Sequence, residues 1–81
     1  MESHSPEAVG NAFGKAIKLK RVEVGISQEV LADRADLARS FLSGIERGVK
    51  SASIQSVWKI ATALGCRPSD LWLEAERLLV K

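Results

Sequence analysis

The residue types that most often carry reactive chemistry are nearly absent from this chain of 81 residues. Histidine occurs once, as His4, and cysteine occurs once, as Cys66. One of each cannot build a four-ligand zinc site. The sequence also shows no Ser–His–Asp or Cys–His set and no glycine-rich phosphate loop. We therefore predict that the chain is not an enzyme and that it binds no metal or cofactor.

Size and charge narrow the class of protein. A chain of 81 residues makes at most one domain, and so small a core often gains stability from a disulfide, a metal or oligomerisation. A single cysteine excludes an intrachain disulfide, so we expect a homodimer. The net charge of +2 is too mild to identify a partner. The apolar runs are too short to span a membrane and residues 1–10 lack a secretory pattern, so we expect a cytoplasmic protein.

The residues that begin and end helices divide the chain into helical segments. Gly25, Gly48 and Gly65 each follow an amphipathic run, where a left-handed glycine ends a helix. Ser27 and Ser53 are placed to cap the helices that follow. The predicted segments are five, at about residues 6–24, 28–35, 39–47, 54–64 and 68–79. We therefore predict an all-α domain over residues 7–81 that follows an N-terminal tail of residues 1–6.

Apolar residues recur at helical spacing and predict a single core. They are Val9, Phe13, Ile17, Leu31, Ala32, Ala35, Leu42, Ile45, Ile54, Val57, Ile60, Ala61 and Leu64. Between the second and third helices there is room for only about three residues, Asp36–Leu37–Ala38, which forces a steep crossing. Ala32 must be small at that crossing. Asp36 must adopt a positive φ, which aspartate tolerates.

Residues 13–72 resemble the Cro/repressor-type (XRE) helix-turn-helix family of DNA-binding domains. The matching pieces are FGKAIKLKRVEVGISQEVLA, SFLSGIERG and SIQSVWKIATALGCRPSDLW. Within the family, the run RSFLSGIER is most similar to controller proteins of restriction–modification systems. The resemblance implies a compact five-helix, lambda-repressor-like domain in which helices 2 and 3 form the helix-turn-helix. Asp36 replaces the usual turn glycine and Ala38 the usual polar N-cap, so no operator sequence carries over.

The resemblance implies that the first residues of the third helix read base edges in the major groove. Mapped onto this chain, these residues are Arg39, Ser40 and Ser43. Arg39 can bind the O6 and N7 atoms of a guanine, whereas a serine discriminates less. Gly44 stands where other members often read a base, so we expect DNA shape to add to specificity. The alternative for Arg39 is a plain solvated charge.

Phosphate contacts are expected near the start of the second helix, where free N–H groups face outward. The candidates are Ser27, Gln28, Arg47, Lys50 and Ser51. Gln28 could instead be an ordinary first-turn residue, and Arg47 and Lys50 ordinary solubilising charges.

Four further residues receive structural interpretations. The resemblance implies a salt bridge between Arg21 and Glu46 that joins helices 1 and 3. Phe41 could touch a thymine methyl group or pack beside helix 4 or 5, and both alternatives stay open. Cys66 is expected to act as a small apolar filler.

The fifth helix carries more apolar residues than one core-facing stripe can bury. We predict a dimer interface formed by Trp72, Leu73 and Leu79 together with Trp58 of the fourth helix. A twofold dimer would place two recognition helices about 34 Å apart on a roughly palindromic operator. The alternative is a monomer whose last helix only covers the core.

These inferences predict a sequence-specific transcriptional regulator that binds double-stranded DNA as a homodimer. A restriction–modification controller, a prophage repressor and an antitoxin all fit this description. The alternative is a protein-interaction module that keeps the fold without specific DNA binding, which the mild net charge favours. We expect no membrane partner and no small-molecule ligand, because so small a chain leaves little room for a pocket of roughly 300–1,000 Å³.

Overall fold

The computed structural model describes residues 4–80 of the chain. These residues form five α-helices: α1 (Pro6–Val24), α2 (Gln28–Arg34), α3 (Arg39–Glu46), α4 (Ile54–Leu64) and α5 (Pro68–Leu79). The all-α, five-helix prediction is confirmed. Only α2 and α3 differ from their predicted ranges, and each ends one residue earlier than expected. None of the helices within residues 4–80 is long and apolar enough to cross a membrane.

Local hydrogen bonds place the helix ends. The hydroxyl oxygen of Ser27 accepts from the backbone N–H of Val30 at 3.1 Å, and that of Ser53 accepts from Ser56 at 3.0 Å. The carboxylate of Asp70 accepts from the backbone N–H of Arg67 at 2.8 Å. Left-handed glycines follow three of the helices: Gly25 (φ 87°), Gly48 (φ 78°) and Gly65 (φ 74°). The chain therefore starts and stops its helices by signals that lie within about one turn of each boundary.

The turn between α2 and α3 is tight because one non-glycine residue adopts the left-handed conformation. Asp36 has φ 56°, as predicted, and is the one such residue within the described chain. The next N–H, of Leu37, donates to the carbonyl of Ala32 at 2.9 Å, which closes the end of α2. Ala38 then takes the N-cap position of α3 with φ −63° and ψ 136°, the extended backbone that a capping residue adopts.

The N-cap position of α3 tests how much a capping side chain contributes to stability. Alanine has no side-chain acceptor, so we expect Ala38→Ser to add about 0.5–1 kcal/mol to the free energy of unfolding. The reverse change at the cap of α2, Ser27→Ala, should remove a similar amount. Urea titrations followed by circular dichroism would measure both variants. A destabilised Ala38→Ser would contradict the expectation, because the backbone already has the required geometry.

The helices pack around one core in which α1 lies against α3, α4 and α5. Ile17, Leu31, Leu42, Ile60 and Leu71 are fully buried there. The crossing of α1 and α3 is close because α1 has a glycine at the contact. A methyl group at position 14 would overlap the carbonyl oxygen of Ile45 and lie 2.7 Å from that of Glu46. Glycine at this position therefore sets the distance between the two helices.

Two core predictions are wrong. Val9 is half-buried and is not part of the core cluster. Ile54, expected in the apolar stripe of α4, is 85% exposed. It is the first residue of α4, and Cα–Cβ bonds in a helix tilt toward its N-terminus. The side chain therefore points off the end of the helix, beyond the neighbours that bury Val57 and Ile60.

The chain forms a surface groove, although its small size predicted little room for one. An open groove of about 450 Å³ lies between α1 and the α3–α4 loop. Its apolar lining includes Phe13, Val49, Ala52 and Trp72. Gly10 also lines the groove and has no side chain to fill the space. The absence of a small-molecule ligand therefore stays a prediction that chain size does not support.

Candidate nucleic-acid interface

The outward side of α3 carries polar residues along its length. Successive helical residues are rotated by about 100°, which places Ser40, Ser43 and Arg47 within about 60° of one another. Ser40 and Arg47 are exposed, whereas Leu42 and Ile45 on the opposite side are 0% and 2% exposed. The helix therefore rests on the core by one side and presents donors and acceptors on the other.

Arg39, at the start of α3, is free to engage a ligand. Its side chain is 61% exposed, and a guanidinium nitrogen lies 4.0 Å from a carboxylate oxygen of Glu29 on α2. An ion pair this long and this exposed is worth at most about 1 kcal/mol and weakens with salt. Sequence reasoning missed Glu29, because the pairing depends on how α2 and α3 cross.

A buried carboxylate ties three helices together beneath this face. Glu46 is 9% exposed and accepts from Arg21 Nε at 2.8 Å and from Arg21 Nη2 at 3.1 Å. It also accepts from the Gln28 side-chain amide at 3.1 Å. The bonds to Glu46 raise the pKa of Arg21, so the guanidinium stays charged. The network holds Gln28 in one orientation at the first turn of α2, and it joins this side chain to the last residue of α3.

The other predicted phosphate contacts surround the same face. The Ser27 hydroxyl oxygen caps α2, which leaves its hydrogen free to donate. Arg47 is exposed and its Nε donates to Ser43 Oγ at 3.4 Å, a long bond. Lys50 and Ser51 are exposed in the α3–α4 loop. The predicted phosphate contacts thus lie at the start of α2, at the end of α3 and in the loop that follows it.

Two residues with open interpretations lie against the core. Phe41 is half-buried and packs on the core cluster, which favours the packing alternative over a thymine contact. Cys66 is half-buried and packs there too, and burial raises the pKa of its thiol. No three His, Cys, Asp or Glu side chains within residues 4–80 are grouped closely enough to hold a metal ion.

Large apolar side chains remain exposed on α4 and α5, at the other predicted interface. Trp58 is 65% exposed and Leu73 is 56% exposed. Trp72 is 44% exposed, and its ring also packs on Phe13 with centroids 4.4 Å apart. Leu79 is half-buried against the core cluster. Among the four predicted interface residues, Trp58 and Leu73 thus have the largest exposed fractions.

Comparison with known proteins adds an independent finding. The helix-turn-helix family matches residues 17–71. Control protein C.BamHI of Bacillus amyloliquefaciens is 42% identical over 60 residues, which cover 73% of this chain and 74% of that protein. The immunity repressor of Bacillus phage phi105 is 37% identical over 68 residues, 84% of this chain and 46% of that protein. The fold is also similar to the crystal structure of the restriction–modification controller protein C.AhdI from Aeromonas hydrophila, with a TM-score of 0.74 and 39% sequence identity. The superposed region covers 75% of this chain and 92% of that chain.

Proposed function

The chain belongs to the helix-turn-helix family of DNA-binding transcriptional regulators, and we propose that it acts as a homodimer on a pseudo-palindromic operator. The observation that carries this proposal is the arrangement of α2 and α3. The Glu46 network fixes α3 against α1 and α2, while Arg39, Ser40 and Ser43 stay on its outer side. A helix presented in this way fits the major groove.

Base reading is assigned to the first half of α3. The Arg39 guanidinium can exchange its exposed ion pair with Glu29 for the paired acceptors O6 and N7 of a guanine. Ser40 and Ser43 can donate to or accept from a neighbouring base edge, and they discriminate less. Arg39 is therefore the main reader in this proposal.

Phosphate contacts position the module on the duplex. The first turn of α2 presents Ser27 and Gln28, and the amide of Gln28 is already oriented by Glu46. Arg47, Lys50 and Ser51, at the C-terminal end of α3 and in the loop after it, would contact further phosphates of the DNA backbone. The orientation of Gln28 supports binding, because this side chain has little entropy left to lose on contact.

The dimer is proposed to form through the exposed apolar surface of α4 and α5: Trp58, Trp72, Leu73 and Leu79. Apolar residues this exposed favour association, since burial removes them from water. The subunit measures 36 × 21 × 19 Å. Two subunits of this length can place two α3 helices about 34 Å apart, one turn of DNA.

Trp58→Ser tests the interface. Because Trp58 is 65% exposed in the subunit, we expect the variant to stay folded. Loss of an interface tryptophan costs about 2 kcal/mol or more of association energy. A homodimer loses two, about 4 kcal/mol, so the dimer dissociation constant should rise about 1,000-fold. Sedimentation equilibrium would measure it. Val22→Ser on α1 is the matched control, because Val22 is 61% exposed. An unchanged dissociation constant for Trp58→Ser would remove Trp58 from the interface.

The function itself is tested by selecting bound fragments from random and genomic DNA at two salt concentrations. We expect an enriched palindrome with two half-sites that persists at the higher salt concentration. Similarity to control proteins further predicts that the genomic fragments carry promoters of restriction–modification genes. Binding without an enriched motif, falling steeply with salt, would show only phosphate attraction. The protein-interaction alternative would then be preferred.

A further inference from the structure

The loop that follows α3 folds back onto that helix. Gly48 takes a positive φ of 78°, which reverses the chain direction. The carbonyl of Gly44, in the last turn of α3, then accepts from the N–H of Val49 at 2.9 Å and from that of Lys50 at 3.1 Å. These two bonds hold the start of the loop, including the backbone N–H of Lys50, at the C-terminal end of α3.

The aliphatic stem of Lys50 occupies the place of the side chain that Gly44 lacks. A methyl group built at position 44 would overlap Lys50 Cγ and would lie 3.1 Å from its Cβ and 3.6 Å from its Cδ. Position 44 lies about 40° around the helix from Ser40, because each residue turns the helix by about 100°. The lysine stem therefore lies beside Ser40, at the edge of the face that carries the proposed base-reading residues.

The charged end of Lys50 is available to a ligand. Lys50 is exposed, and within residues 4–80 its ammonium makes no hydrogen bond and no ion pair. A lysine ammonium in the major groove can donate to O6 and N7 of a guanine. Gly44 has no side chain that could read a base. The loop places the side chain of Lys50, which ends in an ammonium donor, beside Gly44.

We propose that Lys50 is a specificity-determining residue that reads a guanine from above Gly44. This inference rests on the proposed function, and it reassigns Lys50 to a base in place of the phosphate contact proposed above. The two roles differ in what they change. A base reader alters affinity at one base pair, whereas a phosphate contact alters affinity for all sequences and the salt dependence.

Lys50→Met separates these roles because it keeps an unbranched stem over Gly44 and removes only the ammonium. Binding would be measured on the selected operator and on versions with one base pair changed in one half-site. We expect one position to lose its preference for guanine by about 5- to 150-fold. Replacing that guanine by 7-deazaguanine, which lacks the N7 acceptor, should weaken the wild-type protein and leave Lys50→Met unaffected. Lys15→Met, an exposed lysine on α1, is the matched control.

Gly44→Ala provides a second test that keeps the ammonium. The new methyl group displaces the lysine stem, so we expect the same position to lose its guanine preference. Adding Gly44→Ala to Lys50→Met should cost little more at that position, because both changes remove one contact. Circular dichroism would confirm that both variants fold.

The outcomes separate the inference from the function on which it rests. Uniform weakening by Lys50→Met across all operators, with a salt slope reduced by about 1, would overturn the inference and make Lys50 a phosphate contact. Unchanged binding by Lys50→Met would overturn it as well. A wild-type protein that selects no motif at all would instead defeat the proposed function.

Discussion

Gly14→Ala is expected to lower the free energy of unfolding by about 1–3 kcal/mol, the usual cost of overpacking a core. The methyl group would overlap the carbonyl oxygen of Ile45 and crowd that of Glu46, and backbone atoms of a helix cannot rotate away. A domain of this size has a total stability of only about 4–12 kcal/mol. The melting temperature should fall by about 4–8 °C for each kcal/mol lost.

Gly10→Ala is the matched control for this prediction. It lies one turn earlier on α1, and its methyl group would meet only the carbonyl oxygen of Gly48, at 3.7 Å. Alanine favours a helix over glycine by about 0.5–1 kcal/mol, so Gly10→Ala should raise stability. Thermal unfolding by circular dichroism would compare the two variants. If both variants changed the stability by the same amount in the same direction, the close approach of α3 to α1 would not limit the size of the side chain at position 14.

Arg39→Ala is expected to weaken binding to the selected operator by about 1–3 kcal/mol per half-site. Two half-sites would double this loss to about 2–6 kcal/mol for a homodimer. The preference for guanine at the position that Arg39 reads should disappear, while stability should barely change because the side chain is 61% exposed. Fluorescence anisotropy with operators altered at single positions would measure both effects.

Arg34→Ala provides the control for lost positive charge. Arg34 is exposed at the end of α2, opposite the first turn that is proposed to face DNA. Its removal should leave the base preferences intact and reduce affinity slightly at low salt. If Arg39→Ala behaved like Arg34→Ala, Arg39 would be a solvated charge and the assignment of the reading helix would fail.

Signals that act within one helical turn were readable from the sequence. The left-handed glycines, the serine caps and the strained Asp36 each work through atoms of near neighbours in the chain, so their residue types indicate the local geometry. For the same reason the helix boundaries were predicted to within one residue. The family resemblance added which helix should face DNA.

Features that depend on distant segments needed the tertiary structure. Ile54 fits the apolar period of α4, yet it lies beyond the end of the core. No sequence pattern distinguishes Gly14 from other glycines. Only the structure shows that carbonyl oxygens of α3 lie too close to it for a side chain. The spacing of apolar residues shows which side of a helix is apolar. It gives no information about where the neighbouring helices end.

The features of the candidate site also fall into those that the sequence indicates and those that only the tertiary structure shows. The sequence by itself determined a helix-turn-helix with Arg39 and Ser40 at the start of its second helix, because spacing and residue type are local properties. Only the tertiary structure decided that Glu46 orients Gln28 and that the stem of Lys50 covers Gly44. Both contacts arise where separate segments of the chain meet, and the distances between such segments are set by packing of the whole core.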